Sequence, residues 1–224
     1  MRYIKKGEQP ESFVAWKHLE NDDWKPTWNN FSDDRNNPDR KPKTDVHNAL
    51  LQEQGYLCCY CGRRITKETS HIEHLRPRKL YPKLALEYNN LLASCQGESE
   101  EPPPVPIHCG HKKKDWYDEQ LMVSPLAANC TEFFRYTDDG QILAVDTPNN
   151  KIAAQETIDR LDLNISKLIA MRRAAIEDIL DFIDALTDED IEKLIQGFEQ
   201  VDVDGQYEEF CFAIAFLLKQ NFIA

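Results

Sequence analysis

The sequence Cys58-Cys59-Tyr60-Cys61 is followed by His71-Ile72-Glu73-His74, and then by Asn90, Cys95 and Cys109-Gly110-His111. Cysteine thiolates are the usual ligands of structural zinc, whereas carboxylate and imidazole groups together suit a cation used in hydrolysis. Two kinds of metal-ligand spacing therefore alternate within one short region. The sequence predicts one site that holds the fold and a second site that performs chemistry.

The cysteines of this region predict a closed zinc site. Two residues separate Cys58 from Cys61, a spacing that lets a tight turn direct both sulfurs at one ion. Cys95 and Cys109 supply the other two corners of a tetrahedron. The gap between this second pair is wide for a zinc site, and His108 is an alternative ligand. Four sulfur ligands leave no open coordination position, so this zinc would be structural.

The second set of residues suits phosphodiester hydrolysis. Glu73 offers a hard oxygen ligand and His111 a nitrogen ligand, a pair that accepts Mg²⁺ or Mn²⁺. Adjacent side chains on a strand face opposite ways, so Glu73 and His74 share a site only where a strand ends, as Pro77 indicates. Neutral His74 could then act as general base. An isolated histidine is more often a surface or core residue, but Asn90 and the cysteines favour a site.

The charge of the chain is distributed unevenly. The net charge is −12, which by itself argues against a nucleic-acid partner. Residues 56–117 nevertheless carry ten basic and seven acidic side chains, whereas residues 118–224 carry eight and twenty-two. Arg76 and Lys112-Lys113-Lys114 lie beside the predicted ligands, and we expect them to bind substrate phosphate. The alternative is an ordinary solvated basic face.

The hydrophobic pattern predicts a helix-rich α+β fold in four segments. Residues 1–55 form an N-terminal helical segment, residues 56–118 the metal-binding module, residues 119–150 a β-hairpin connection, and residues 151–224 an acidic helical region that could dock a partner. The hairpin is predicted from the Asp139-Gly140 turn between strand-forming runs. The insert at residues 97–106 is acidic and rich in proline, so we expect an exposed loop there.

Several element boundaries are predicted within these segments. A first helix begins at Pro10 and continues to about Leu19, an irregular loop covers residues 21–42, and Asp45 caps a second helix that ends at Gln54. Thr187 and Asp190 resemble a capping box for a late helix. The apolar stretch from residue 210 to residue 222 is too short to span a membrane and predicts a buried terminal helix.

The composition also bears on the cellular compartment. No apolar run approaches the roughly 18–20 residues that a bilayer span needs, and no signal-peptide pattern follows the first residues. We therefore expect a cytoplasmic protein without a membrane partner. Seven cysteines in that compartment favour metal binding over disulfides, with Cys59, Cys130 and Cys211 simply buried.

These motifs resemble the zinc-containing branch of the HNH endonucleases, which have a ββα-metal fold. The resemblance rests on Cys58-x-x-Cys61, Ile72-Glu73-His74-Leu75-x-Pro77, Asn90-Leu91-x-x-x-Cys95 and Cys109-x-His111-x-x-Lys114. It implies that Glu73 and His111 bind the catalytic metal, that His74 is the general base, and that Asn90 orients the loop. Glu73 replaces the commoner Asp or His. If the family motif is aligned on Cys109, its His or Asn ligand falls on Gly110, which has no side chain. If the motif is aligned on Lys114, the ligand position falls on His111.

A wider resemblance covers most of the chain. Residues 73–91, the opening Ile4-Lys5-Lys6-Gly7 and the later Leu161-x-Leu163-Asn164 are similar to the HNH subunit of Septu-type and retron-associated anti-phage systems. That similarity implies an ATPase partner of the SMC-like class, in some systems together with a reverse transcriptase and its RNA-linked DNA. It also implies a nucleic-acid substrate, with DNA favoured over RNA. The acidic helical region then becomes a docking surface.

Two other functions remain open at this point. A non-catalytic, zinc-stabilised adaptor that binds a partner through its acidic helices would explain Gly110 and the negative charge. A thiol-disulfide enzyme that uses Cys58 and Cys61 is less favoured, because no thioredoxin-like βαβ pattern accompanies the pair. Metal-assisted hydrolysis that leaves 5′-phosphate and 3′-hydroxyl ends is the interpretation that the whole region favours.

Overall fold

The chain folds into a helix-rich α+β structure in a computed structural model that describes residues 1–34, 37, 40–97, 106–183 and 185–222. The helices are α1 (Glu11–Lys17), α2 (Pro42–Glu53), α3 (Cys109–Lys113), α4 (Pro148–Leu161), α5 (Ser166–Ile183), α6 (Asp188–Glu199) and α7 (Cys211–Phe222). The strands are β1 (Ser70–His74), β2 (Leu91–Cys95), β3 (Phe134–Tyr136) and β4 (Ile142–Ala144). This confirms the predicted helix-rich α+β class, whereas the ββα-metal core stays a prediction.

The N-terminal helices pack through aromatic side chains. Phe13 and Trp16 of α1 both contact Phe31, with ring centroids 4.9 and 4.8 Å apart. Helix α2 begins at Pro42, whose fixed φ suits a first turn, so the prediction that Asp45 caps this helix is wrong. Asp45 lies in the first turn and accepts a hydrogen bond from Ser12 Oγ at 2.6 Å. The intervening loop contains a short 3₁₀ turn at Trp28–Asn30.

Strands β1 and β2 form an antiparallel pair that positions the predicted site. Ser70 pairs with Cys95 at one end of the ladder, and His74 pairs with Leu91 at the other. Helix α3 is short and packs against β2, where the Gly110 N–H donates to Ser94 Oγ at 3.2 Å. The hairpin and α3 therefore bring the cysteine motif and the histidine motif onto one small scaffold.

The predicted second hairpin is confirmed. Strands β3 and β4 pair around Gly140, whose φ of +86° is a conformation that side-chain-bearing residues rarely adopt. Arg172 of α5 is buried at 1% exposure and donates to the carbonyls of Gly140 and Leu163 at 2.8 and 2.7 Å. This arginine ties the hairpin to the C-terminal helices.

The C-terminal helices follow the predicted pattern. Helix α6 begins with the expected capping box, in which the Thr187 side chain accepts from the Asp190 N–H and Asp190 Oδ2 accepts from the Thr187 N–H. Helix α7 is apolar and packs against α5 and α6. One hydrophobic cluster runs from Met1 to Leu218. The four predicted segments thus share a continuous core.

Two further observations concern the predicted insert and the membrane. Most of the proline-rich insert, residues 98–105, lies outside the described residues, so its expected loop conformation stays a prediction. Within the described part of the chain, no helix combines the length and the apolar character that a bilayer span requires.

Candidate metal centre and hydrolytic site

The four predicted zinc ligands meet in one buried cluster. The sulfurs of Cys58, Cys61, Cys95 and Cys109 all lie within 4.8 Å of one another. Cys58 and Cys61 come from the turn after α2, Cys95 ends β2, and Cys109 begins α3. Among the described residues, this is the one group of three or more metal-ligand side chains with such spacing. The backbone therefore brings four thiols from three places in the chain to one point.

The chemistry of the cluster suits a zinc ion. All four thiols are free of disulfides, and burial raises the pKa of the Cys109 thiol well above its ordinary value. Burial opposes ionisation of Cys58 as well, but hydrogen bonds from the neighbouring thiols hold its pKa well below the usual range. Packing four thiols this closely in a dry core is explained by a cation that binds their thiolates. His108 lies beside the group, with Nδ1 3.1 Å from Cys109 Sγ, but the four sulfurs already form a complete set.

Glu73 lies near the end of β1 and is 8% exposed. Its Oε1 accepts from Lys113 Nζ at 2.8 Å and from Tyr60 Oη at 3.2 Å, and its Oε2 lies 3.5 Å from His71 Nε2. Burial alone would raise the pKa of Glu73, but the hydrogen bond from His71 and the charge of Lys113 lower it below the ordinary value. The carboxylate is therefore held in its ionised form, as a metal ligand must be.

The position of His74 is fixed by a backbone carbonyl. His74 Nε2 lies 3.1 Å from the Ala85 oxygen, and its ring packs edge-on against Trp28 with centroids 4.3 Å apart. A carbonyl oxygen can only accept, so Nε2 carries the proton and Nδ1 keeps the lone pair in the neutral ring. Burial lowers the pKa of His74, which favours the neutral form. This tautomer can accept a proton.

Asn90 organises the loop that carries Ala85. Its Oδ1 accepts from the Arg76 N–H at 2.8 Å, and its Nδ2 donates to the carbonyls of Arg76 and Leu84 at 3.0 and 3.1 Å. Asn90 is 6% exposed, so these bonds are shielded from water. The amide therefore fixes both ends of the loop between β1 and β2, and with it the carbonyl that orients His74.

The predicted phosphate-binding residues occupy different environments. Lys113 is 2% exposed and donates to the His74 carbonyl at 3.0 Å, so it differs from the expectation of a substrate-facing lysine: its ammonium neutralises Glu73 instead. Lys112 pairs with Asp162 at 2.7 Å, and Arg76 pairs with Glu119 at 2.9 Å. Lys114 is exposed. Pairs this exposed contribute little stability and can exchange for another anion.

Four residues near the site, including Tyr60 beside Glu73, were not predicted from the sequence to have a role there. His71 lies on β1 two positions before Glu73, so both side chains face the same way, and its ring centroid is 4.4 Å from that of His111. The alternation of side chains along a strand was the signal that could have identified it. Trp28 and Gln96 also reach the site, and Gln96 Oε1 lies 3.2 Å from His111 Nε2. Neither Trp28 nor Gln96 belongs to a recognisable sequence motif.

Comparison with known proteins gives two relatives. The chain is 32% identical over 148 residues to the "Retron Vc95 putative HNH endonuclease" of Vibrio cholerae serotype O1 biovar El Tor, covering 64% of this chain and 69% of the relative. It is 27% identical over 164 residues to Septu protein PtuB of Bacillus thuringiensis, covering 70% of this chain and 52% of that protein. The chain thus matches about half the length of PtuB. No protein-family model matches the sequence.

Proposed function

The chain belongs to the HNH endonuclease family, and from that premise we propose that β1, β2 and α3 form a ββα-metal core that hydrolyses phosphodiester bonds. The observation that carries this proposal is the pairing of a buried, ionised Glu73 with a neighbouring His74 whose Nε2 is fixed on the Ala85 carbonyl. Glu73 and His74 are the last two residues of β1, so they lie where the strand ends and both can serve one site.

His74 acts as the general base in this proposal. Its Nδ1 holds the lone pair and takes a proton from the attacking water, while the Ala85 carbonyl prevents the ring from turning. Asn90 acts through the loop and not on the substrate, because its hydrogen bonds all go to backbone groups. The burial that lowers the pKa of His74 keeps it ready to accept a proton near neutral pH.

Glu73 and His111 would hold a divalent cation, Mg²⁺ or Mn²⁺. The fit rests on the ionised carboxylate of Glu73, whose Oε1 is bonded by Lys113 and Tyr60 and whose Oε2 is bonded by neither. A cation bound there supplies positive charge for the scissile phosphate and for the leaving 3′ oxygen. The Lys113 ammonium neutralises the Glu73 carboxylate at Oε1. It also donates to the His74 carbonyl, which connects α3 to the end of β1.

The substrate is a nucleic acid, with DNA favoured. Arg76, Lys112 and Lys114 remain the residues that would contact phosphate, and the first two would exchange their carboxylate partners for it. Attack opposite the 3′ oxygen predicts 5′-phosphate and 3′-hydroxyl ends. Trp28 and the guanidinium of Arg78, 5.8 Å from the indole ring, form one edge of the same surface.

The nuclease would act as the effector of an anti-phage defence complex. The names of the two relatives refer to retron and Septu systems. Residues 118–224 carry twenty-two acidic and eight basic side chains, a charge that repels DNA but suits a protein partner. We propose that an SMC-like ATPase docks on this helical half and controls cleavage, in some complexes together with a reverse transcriptase and its RNA-linked DNA.

A nicking assay tests the proposal. The purified, zinc-loaded protein is incubated with supercoiled plasmid and Mg²⁺ or Mn²⁺, with and without its co-expressed neighbouring gene products. Divalent-dependent nicking in either preparation is the expected result. If neither preparation cleaves DNA or RNA, while the chain still binds its co-expressed partner, the function is that of a zinc-stabilised adaptor.

A further inference from the structure

The side chain of His71 stands beside the proposed cation site. His71 Nε2 lies 3.5 Å from Glu73 Oε2, and the two residues occupy the same face of β1. The His71 ring also contacts the His111 ring, with centroids 4.4 Å apart. His71 thus contacts both the Glu73 carboxylate and the His111 ring.

Gly110 explains why His71 can occupy this position. A Cβ atom added at residue 110 would lie 2.8 Å from His71 Nε2 and 2.8 Å from Glu73 Oε2, closer than real Cβ contacts occur. Helix α3 cannot simply move away, because Cys109 belongs to the cysteine cluster and the Gly110 N–H bonds to Ser94. The imidazole of His71 therefore occupies space that a side chain at residue 110 would need.

Glu73 Oε2 and His71 Nε2 contact each other, and a cation would bind by replacing that contact. Lys113 and Tyr60 occupy Glu73 Oε1, which leaves Oε2 directed toward His71. His71 Nδ1 is buried and has no hydrogen-bond partner among the described residues. Because no such bond holds Nδ1, the His71 ring can adjust to present Nε2 to a cation beside Glu73 Oε2.

We propose that His71 is a protein ligand of the divalent cation, next to Glu73. This inference rests on the proposed nuclease function, but it concerns a different residue from those assigned above. The His71 imidazole and the Glu73 carboxylate occupy adjacent same-face positions of one strand, so they form a rigid pair that would hold the cation together with His111. The competing explanation is an ion pair in which protonated His71 only neutralises Glu73.

Mn²⁺ binding distinguishes these explanations without any activity measurement. The zinc-loaded full chain is titrated with Mn²⁺ by calorimetry, and the bound ion is examined for nitrogen couplings by pulsed electron paramagnetic resonance. We expect His71→Ala to weaken Mn²⁺ binding at least about tenfold and to remove one nitrogen coupling, with zinc content unchanged. His18→Ala, at an exposed position in the N-terminal segment, is the matched control and should behave as wild type.

A second variant tests the role of Gly110. Gly110→Ala inserts a methyl group between His71 and Glu73, so we expect weaker Mn²⁺ binding although no ligand has been removed. Equal Mn²⁺ affinity and equal nitrogen couplings in wild type and His71→Ala would overturn the assignment of His71. If Glu73→Gln also left Mn²⁺ binding unchanged, or if the wild type bound no Mn²⁺, the proposed cation site itself would be wrong.

Discussion

The two ends of the β1–β2 hairpin differ in how their functional side chains are arranged. At the cysteine end, four buried sulfurs lie within 4.8 Å of one another, so they already surround one point. At the histidine end, the functional side chains are engaged by protein partners: Lys113 bonds Glu73, and the Ala85 carbonyl bonds His74. A closed site stabilises a fold, whereas an open site must exchange partners when substrate and cation arrive. Helix α3 links them, since it begins at Cys109 and ends at Lys113.

The largest effect is expected at the cysteine end. Cys58→Ser removes one of the four ligands. The free energy of zinc binding in small zinc domains is roughly 10–16 kcal/mol. That is comparable with the free energy of unfolding of a whole domain, roughly 5–15 kcal/mol. We expect loss of bound zinc and of the folding transition, measured by metal analysis and thermal denaturation. Cys211→Ala removes a buried thiol outside the cluster and should retain zinc. Full zinc content in Cys58→Ser would refute the closed site.

The next effect concerns the histidine end and should leave the fold intact. His74→Ala removes the proposed base, and general-base catalysis typically contributes about 10²–10⁴-fold in rate. We expect the cleavage rate to fall by that factor while zinc content and the unfolding temperature stay close to wild type. The measurement is the initial nicking rate alongside metal analysis. Undiminished cleavage would show that another group takes the proton.

A smaller effect is expected where Asn90 supports the base indirectly. Asn90→Ala leaves the Arg76 N–H and two carbonyls without their partner, which should cost about 1–3 kcal/mol. The loss should appear in urea unfolding and as a lower kcat, because the Ala85 carbonyl no longer fixes His74. Asn89→Ala, at the exposed neighbouring position, is the control and should change neither. Equal stability of the two variants would contradict the role of the loop.

The smallest effect is a change in the free energy of unfolding with pH, which comes from His47 and not from the catalytic residues. His47 Nε2 lies 2.8 Å from Ser70 Oγ at the start of β1, and burial, with the nearby charge of Lys67, lowers the pKa of His47 to about 4. The unfolded chain gains a proton near pH 6.5, whereas the folded chain does not until about pH 4. Stability should therefore fall between these values by about 1–2 kcal/mol after solvent screening is allowed for.

Zinc is also released from the cysteines as the pH falls, so the effect of His47 on stability is isolated by comparing the wild type with a variant. His47→Gln cannot titrate, so its free energy of unfolding should depend less on pH between 6.5 and 4 than that of the wild type. Denaturant unfolding at several pH values gives the difference. Parallel profiles for the two proteins would show that His47 does not contribute. Cleavage at neutral pH should be the same in both proteins, because His47 contacts Ser70, at the opposite end of β1 from His74.

The sequence predicted the elements whose signals are local. The Asp139-Gly140 turn identified the second hairpin, and Thr187 with Asp190 identified the start of α6, because turn and cap chemistry depend on neighbouring residues. The cysteines were identified by their spacing. Asp45 was assigned wrongly as a cap, since Pro42 three residues earlier already starts the helix.

The contacts that the sequence did not reveal join distant parts of the chain. Trp28 reaches His74 from the N-terminal loop, and no motif marks such a contact. Lys113 differs from Lys112 and Lys114 only in the face of a short helix it occupies, which depends on where Cys109 anchors that helix. His71 becomes notable only when the backbone places Gly110 beside it.

The chemistry of the cut ends tests the central claim most directly. Zinc-loaded protein, purified with its co-expressed partners, is incubated with plasmid and Mn²⁺, and the nicked product is offered to DNA ligase and to a polymerase that extends only 3′-hydroxyl ends. Hydrolysis with His74 as base predicts 5′-phosphate and 3′-hydroxyl ends that are both ligated and extended. Ends that carry a 3′-phosphate, and are neither ligated nor extended, would contradict the mechanism.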